Sequence, residues 1–251
     1  MKTTAVLIFT LAAGCAHSSS QSTVSVEEAY RSAVKDAEVA RPDEVMTTLV
    51  EIKPGNSAVL FSEDGRQVLV AKWIDDSTRN GHFPPPWTAQ AKVTLPGFVA
   101  PSFVTLPSEL RRACGALGLT KLKGEALAMR MRQLLGLKPD DSKQWVAEMW
   151  VPVERLARPC PDPEITDDRC DVLPQPKALP AWSGYEHWFN DNKAHSYEQG
   201  YPWTRLGYTY DWGGRSHVGL SEFVILPGTE YRVARDPIRT DDYCAAPPLK
   251  N

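Results

Sequence analysis

At 251 residues, with a formal net charge of −3, 42% hydrophobic and 24% charged residues, the chain has the composition of a folded protein that can bury a core without a structural metal. No run of Lys or Arg forms a basic stripe, so nothing in the charge pattern favours nucleic acid or an anionic membrane surface, and no nucleic acid partner is expected. The 21 prolines imply short elements joined by long irregular connections.

The N-terminus carries an export signal. Lys2 supplies a charged start, Ala5 to Ala13 an apolar run about half the length that spans a bilayer, and small residues lead to Cys15. The segment "AAGC" (12–15) resembles the lipobox of bacterial lipoproteins, although Ala12 stands where that family usually has Leu. The resemblance implies cleavage before Cys15, acylation of its thiol and new amino group, and a membrane anchor made of acyl chains. Ala16 resembles an outer-membrane address. Residues 1–14 are thus expected to be a signal peptide, 15–24 a lipidated cysteine and polar tether, and 25–251 a single α+β domain.

Along that domain, Ser25 to Ala40 reads as an amphipathic helix capped by Ser25, with Glu28 three residues on, and ended by Pro42. The segments 45–52, 57–62 and 66–74 run apolar or alternate. With Asp64-Gly65 as a hairpin turn, they predict a three-stranded antiparallel meander. Residues 75–87 read as a polar, Pro-rich loop and 88–96 as a fourth strand. Helices follow at 107–119, with Ser108 as cap, and at 124–137, where Leu127, Met131, Leu134 and Leu135 recur at helical spacing before Gly136 and Pro139. Residues 144–153 form an apolar strand, 185–197 a short helix, and 204–212, 218–226 and 230–237 a closing set of strands. The expected class is α+β, mainly antiparallel.

Besides Cys15, four cysteines remain. An even count in an exported chain predicts two disulfides, with three possible connectivities. Cys160 and Cys170 bracket the Pro- and Asp-rich loop "PDPEITDDR", which their pairing would staple. Cys114 would then join Cys244 and pin the C-terminal tail to a helix. No C-x-x-C pair is present, so a four-cysteine zinc site is the weaker alternative.

Between Trp182 and Trp212 lie ten of the 23 aromatic residues, with His187 and His195 among them and His217 soon after. Packing accounts for such a block, since buried aromatics are commoner than functional ones. Ligand binding is a second account. Trp203, Tyr208, Tyr210 and Trp212 could stack on sugar rings, and the last three alternate as one strand face would. Catalysis is a third. His187, Asp191 and His195 follow at four-residue steps, a spacing that a metal site or a solvated helix face explains. Arg205 could hold an anion, while His217 and Glu222 could divide acid and base work near Ser221. Glu222 sits in the apolar run "GLSEFVIL", where burial would raise its pKa. A structural ion pair between Arg205 and Glu222 is the plain alternative.

There is no G-x-S-x-G elbow, Walker loop or Rossmann fingerprint, so no cofactor is implied. "GYPWTRLGYTYDWG", "GLSEFVI" and "DYC" resemble a C-terminal block of secreted bacterial proteins of unknown function, which carries no activity with it. The expectation is a lipid-anchored protein of the cell envelope. It would bind a glycan or protein partner through the aromatic block, or else act as a hydrolase built on His217, Glu222 and Arg205.

Overall fold

A computed structural model describes residues 24–83, 92–94, 101–173 and 182–247. The expected signal peptide, Cys15 and the expected tether up to residue 23 lie outside them. The fold is α+β, with antiparallel sheets.

Helix α1 (Val26–Ala37) begins where expected, the Ser25 side chain accepting a hydrogen bond from the Glu28 amide at 3.1 Å. Strand β1 (Gln67–Ile74) follows a turn at Asp64-Gly65 in which Gly65 takes φ 69°, a conformation that suits glycine. The meander itself does not form. Residues 45–52 and 57–62 bury Leu49, Val50, Ile52 and Val59, yet their amides find partners outside a sheet. Leu49 donates to the Asp168 carbonyl, Ile52 to that of Ile165 and Val50 to the Ser221 hydroxyl. The loop between Cys160 and Cys170 thus replaces a neighbouring strand, and only Phe61 bridges β1, at Val68.

Residues 75–82, expected as loop, form helix α2 (Asp76–His82), because Asp75 accepts the Thr78 amide at 2.7 Å and caps it. Within the expected fourth strand, Lys92–Thr94 is β2; the residues around it lie outside those described. A strand not foreseen, β3 (Ser102–Val104), precedes helix α3 (Pro107–Ala116). Ser108 does not cap α3. Leu106 occupies that position with Pro107 in the first turn, and the Ser108 hydroxyl bonds the Ala58 carbonyl. Helix α4 (Gly124–Leu134) and strand β4 (Trp145–Pro152) appear as expected, then β5 (Leu156–Ala157), α5 (Tyr185–Glu198) and β6 (Tyr208–Tyr210).

The expected single strand 218–226 is two strands in different sheets. Strand β7 (Val218–Ser221) pairs with β6, and β8 (Phe223–Ile225) lies between β3 and β5. Glu222 is the break. Strands β9 (Glu230–Val233) and β10 (Ile238–Arg239) then both join β4, and helix α6 (Thr240–Ala245) ends the described chain.

The main sheet runs β1-β4-β9-β2. One face of β1 carries Val68, Val70 and Ile74 into a core with Met149, Val151 and Val233. The other carries Ala71 and Trp73 against α3, α4 and α6. Both disulfides join the expected partners, Cys114 with Cys244 and Cys160 with Cys170. The first fastens α6 to α3; the second closes the loop that supplies backbone partners to residues 49–52.

Candidate functional site

The aromatic block is mostly core. Tyr185, Trp188, Trp203, Tyr208 and Trp212 are all buried. Trp203 stands at the centre of one cluster, with ring centroids 5.3 Å from Phe189 and 6.0 Å from both Phe103 and Trp188. Trp212 packs edge-on against Tyr30 of α1 and donates its indole N–H to the Leu137 carbonyl. Tyr208 and Tyr210 do share a face, but both rings lie against His217. Their hydroxyls are engaged by the Glu44 carbonyl and the Asp36 carboxylate. Neither ring is a free stacking platform.

Beside this packed block lies a cavity of about 360 Å³, between β1, the β3 segment, α5, β6 and the Glu222 turn between β7 and β8. Glu222 lines it, together with Trp203, Tyr208 and Tyr210 of the expected binding set. Lys72, which sequence reasoning passed over, lines it too. The signal was present: Lys72 has the parity of Val68, Val70 and Ile74, a lone cation on the core face of an apolar strand. Across the sheet its partner is Ala147.

The backbone holds both groups firmly. Ala71 and Thr105 exchange amide–carbonyl hydrogen bonds of 2.8 and 2.9 Å, fixing β1 beside the β3 segment. The Thr105 hydroxyl donates to the Ser221 carbonyl at 2.9 Å. The Ser221 hydroxyl accepts from Val50 and donates to Glu109, at 2.9 and 3.1 Å, and the Glu222 amide donates to the Gly207 carbonyl at 2.9 Å. The chain therefore turns from one sheet to another at a point fixed on both sides. Glu222 sits on the turn rather than inside a continuous strand.

Among the described residues the Lys72 ammonium makes one hydrogen bond, to the Phe103 carbonyl at 3.1 Å. No salt bridge joins it to Glu222 among the described residues. Desolvation is the largest influence on each. Burial, followed by the nearby Lys143 cation, lowers the Lys72 pKa to about 8, against a partial counter-pull from Glu222. Burial raises Glu222 to about 8, against smaller opposing pulls from the Trp203 N–H and Lys72. The indole N–H lies close enough to favour the carboxylate without reaching hydrogen-bond geometry. It is buried and has no other partner among the described residues. The cavity thus gathers two groups that change protonation near pH 8 and one unsatisfied donor.

His217 and Arg205 belong elsewhere. The Arg205 guanidinium donates to the Tyr197 hydroxyl at 2.7 Å and the Glu38 carbonyl at 3.0 Å, and neither the expected ion pair with Glu222 nor a shared centre forms. Those bonds secure a backbone held at φ 57°, unusual for a residue with a side chain. His217 lies beside Asp36 and Glu44 in a group with metal-ligand spacing, but Arg41 already bonds both carboxylates and offsets part of their charge. His187 and Asp191 form an exposed pair at 3.1 Å on α5. His195, one turn on, reaches the cavity rim, with its ring 2.6 Å from the Gln199 amide.

No family model, curated protein or solved structure matches this chain. Its chemistry is therefore read from the cavity alone.

Proposed function

We propose that the chain is an exported, lipid-anchored envelope protein that binds a small ligand in the cavity between β1 and the β7–β8 break. The observation that carries this reading is the set of polar groups there whose hydrogen-bonding capacity the protein does not fill. Trp203 offers a buried indole N–H, Lys72 keeps donors to spare, and Glu222 has no hydrogen bond from another side chain at normal distance. An interior meant only for packing would satisfy or omit such groups. The volume of about 360 Å³ suits a compact molecule and is far too small for a protein segment of standard interface size. Of the two partner classes expected from sequence, an envelope sugar unit fits better, since it presents oxygens for those groups and a C–H face for Phe103 and Trp203.

Two disulfides are compatible with export. The alternative of a hydrolase using His217, Glu222 and Arg205 has less support. Those side chains serve different places, and Glu222 is the lone carboxylate among the described cavity-lining residues, where glycosidic cleavage generally uses two. Calorimetric titration of the full-length protein with peptidoglycan fragments and envelope oligosaccharides tests the reading. Saturable binding that weakens in Trp203→Phe, with the fold intact, supports it. Binding left unchanged by Trp203→Phe and Lys72→Met places the ligand outside the cavity and refutes it.

A further inference from the structure

We propose that Lys72 is a covalent capture site for a carbonyl-bearing ligand, such as the open-chain aldehyde of a reducing sugar, and that Glu222 relays the protons of that reaction. The inference rests on the cavity being the binding site, and it adds what the site does to its ligand.

Geometry carries it. Most lysines hold their charge in water or against a carboxylate. Lys72 is instead set on the core face of β1, restrained by one carbonyl bond and unpaired with any acid at salt-bridge distance among the described residues. It nonetheless keeps partial exposure inside a cavity large enough for a small molecule. Glu222 lines the same space, on a turn that three hydrogen-bonded neighbours fix. An amine in such surroundings gives up its proton more readily than an exposed one and is nucleophilic near neutral pH.

The step balances without an oxidant or reductant. The neutral Lys72 amine attacks the carbonyl carbon, the C–N bond forms, and the carbonyl π pair moves to oxygen. Glu222, protonated below about pH 8, gives its proton to that oxygen and takes one from the nitrogen. It then protonates the hydroxyl, which leaves as water, and recovers a proton from the iminium nitrogen. One amine and one aldehyde become one imine and one water. Trp203 offers its N–H to the oxygens that remain on the ligand.

The test uses the full-length protein in detergent, with glyceraldehyde as probe and sodium cyanoborohydride as the reductant that traps the imine. Peptide mapping by mass spectrometry reads the modified lysines, and calorimetry without reductant reads binding. At pH 7 Lys72 is expected to react roughly ten-fold faster than the exposed Lys123, its larger free-amine fraction being partly offset by lower basicity. Its rate should pass through a maximum near pH 8, where the neutral amine and the protonated acid coexist. Glu222→Gln should slow Lys72 by about ten-fold or more while leaving Lys123 unchanged, and Lys72→Arg should abolish the modification. Glyceraldehyde that binds saturably while Lys72 reacts no faster than Lys123 overturns capture and leaves the cavity reading standing. Lys72 labelling that is fast but indifferent to Glu222→Gln overturns the relay. The absence of both saturable binding and selective labelling overturns the proposal, and the sugar titration then decides the cavity reading separately.

Discussion

Lys72 lies on β1 and Glu222 on the turn between β7 and β8, and Thr105 joins their supports. It bridges Ala71, the neighbour of Lys72, through its backbone, and holds the Ser221 carbonyl, next to Glu222, through its hydroxyl. An acid and a base 150 positions apart in the chain thereby line one cavity without neutralising each other through a salt bridge.

That pair predicts an unusual pH dependence of stability. Glu222 has its pKa raised on folding, from 4.5 to about 8, so the folded protein holds a proton that the unfolded chain releases. Its contribution is fully present below pH 4.5 and is lost as pH rises to 8. Glu222→Gln should remove that loss. It should raise Tm at pH 8 by roughly 4 °C, from on the order of 1–2 kcal/mol once solvent access to the cavity is discounted. Calorimetric melting from pH 5 to 8 reads it, and parallel wild-type and variant curves would refute it.

Lys72 works in the opposite sense. Its folded pKa is lowered from 10.5 to about 8, so the unfolded chain binds the extra proton between those values. The Lys72 contribution to stability should therefore recover as pH rises from 8 to 10.5. Together the two groups contribute a minimum near pH 8. Lys72→Met should flatten the alkaline limb and stabilise the protein at pH 7 by on the order of 1 kcal/mol, because a poorly solvated ammonium is removed. A destabilised Lys72→Met protein at pH 7 would contradict this.

Trp203 is both a wall of the cavity and the centre of an aromatic cluster. Trp203→Ala should cost about 3–5 kcal/mol, as large truncations in packed cores do, whereas Trp203→Phe should cost much less. Urea unfolding separates them. Equal, small losses would show that the Phe103, Trp188 and Phe189 rings close over the space.

The two disulfides should differ in weight. Cys114 and Cys244 are 130 residues apart in the sequence, Cys160 and Cys170 only 10. Loop-closure entropy assigns roughly 5 and roughly 3 kcal/mol to them. Replacing Cys114 and Cys244 with Ser should lower the unfolding free energy more than replacing Cys160 and Cys170. The reverse order would mean that the 160–170 loop matters chiefly through its hydrogen bonds to residues 49 and 52.

Lipid anchoring gives the last prediction. If Cys15 is acylated, Cys15→Ala should shift the protein from the membrane to the soluble fraction. Retention of the variant in the membrane would refute the anchor.

The sequence by itself determined the class and most helices, and it pointed to the disulfide pairing without deciding among the three connectivities. Ser25 names a helix start because its hydroxyl reaches an amide three residues on. The spacing of Leu127 and Met131 names a helix face, and an even cysteine count with one short loop suggests a pairing. These are local facts, or nearly so. Glu222 was also legible as a carboxyl out of place in an apolar run. Its partners were not. Nothing local reveals that 218–226 breaks between two sheets at Glu222, or that the amides of Leu49 and Ile52 pair with a disulfide loop and undo a meander. Arg205 and His217 lie nearer to Glu222 in the chain than Lys72 does, yet each is held by α1 or the residues that follow it. Lys72 comes from the opposite end of the domain. Only the tertiary structure decided which side chains face one cavity, because that depends on strand order and burial, and desolvation inside the cavity then set their proton affinities.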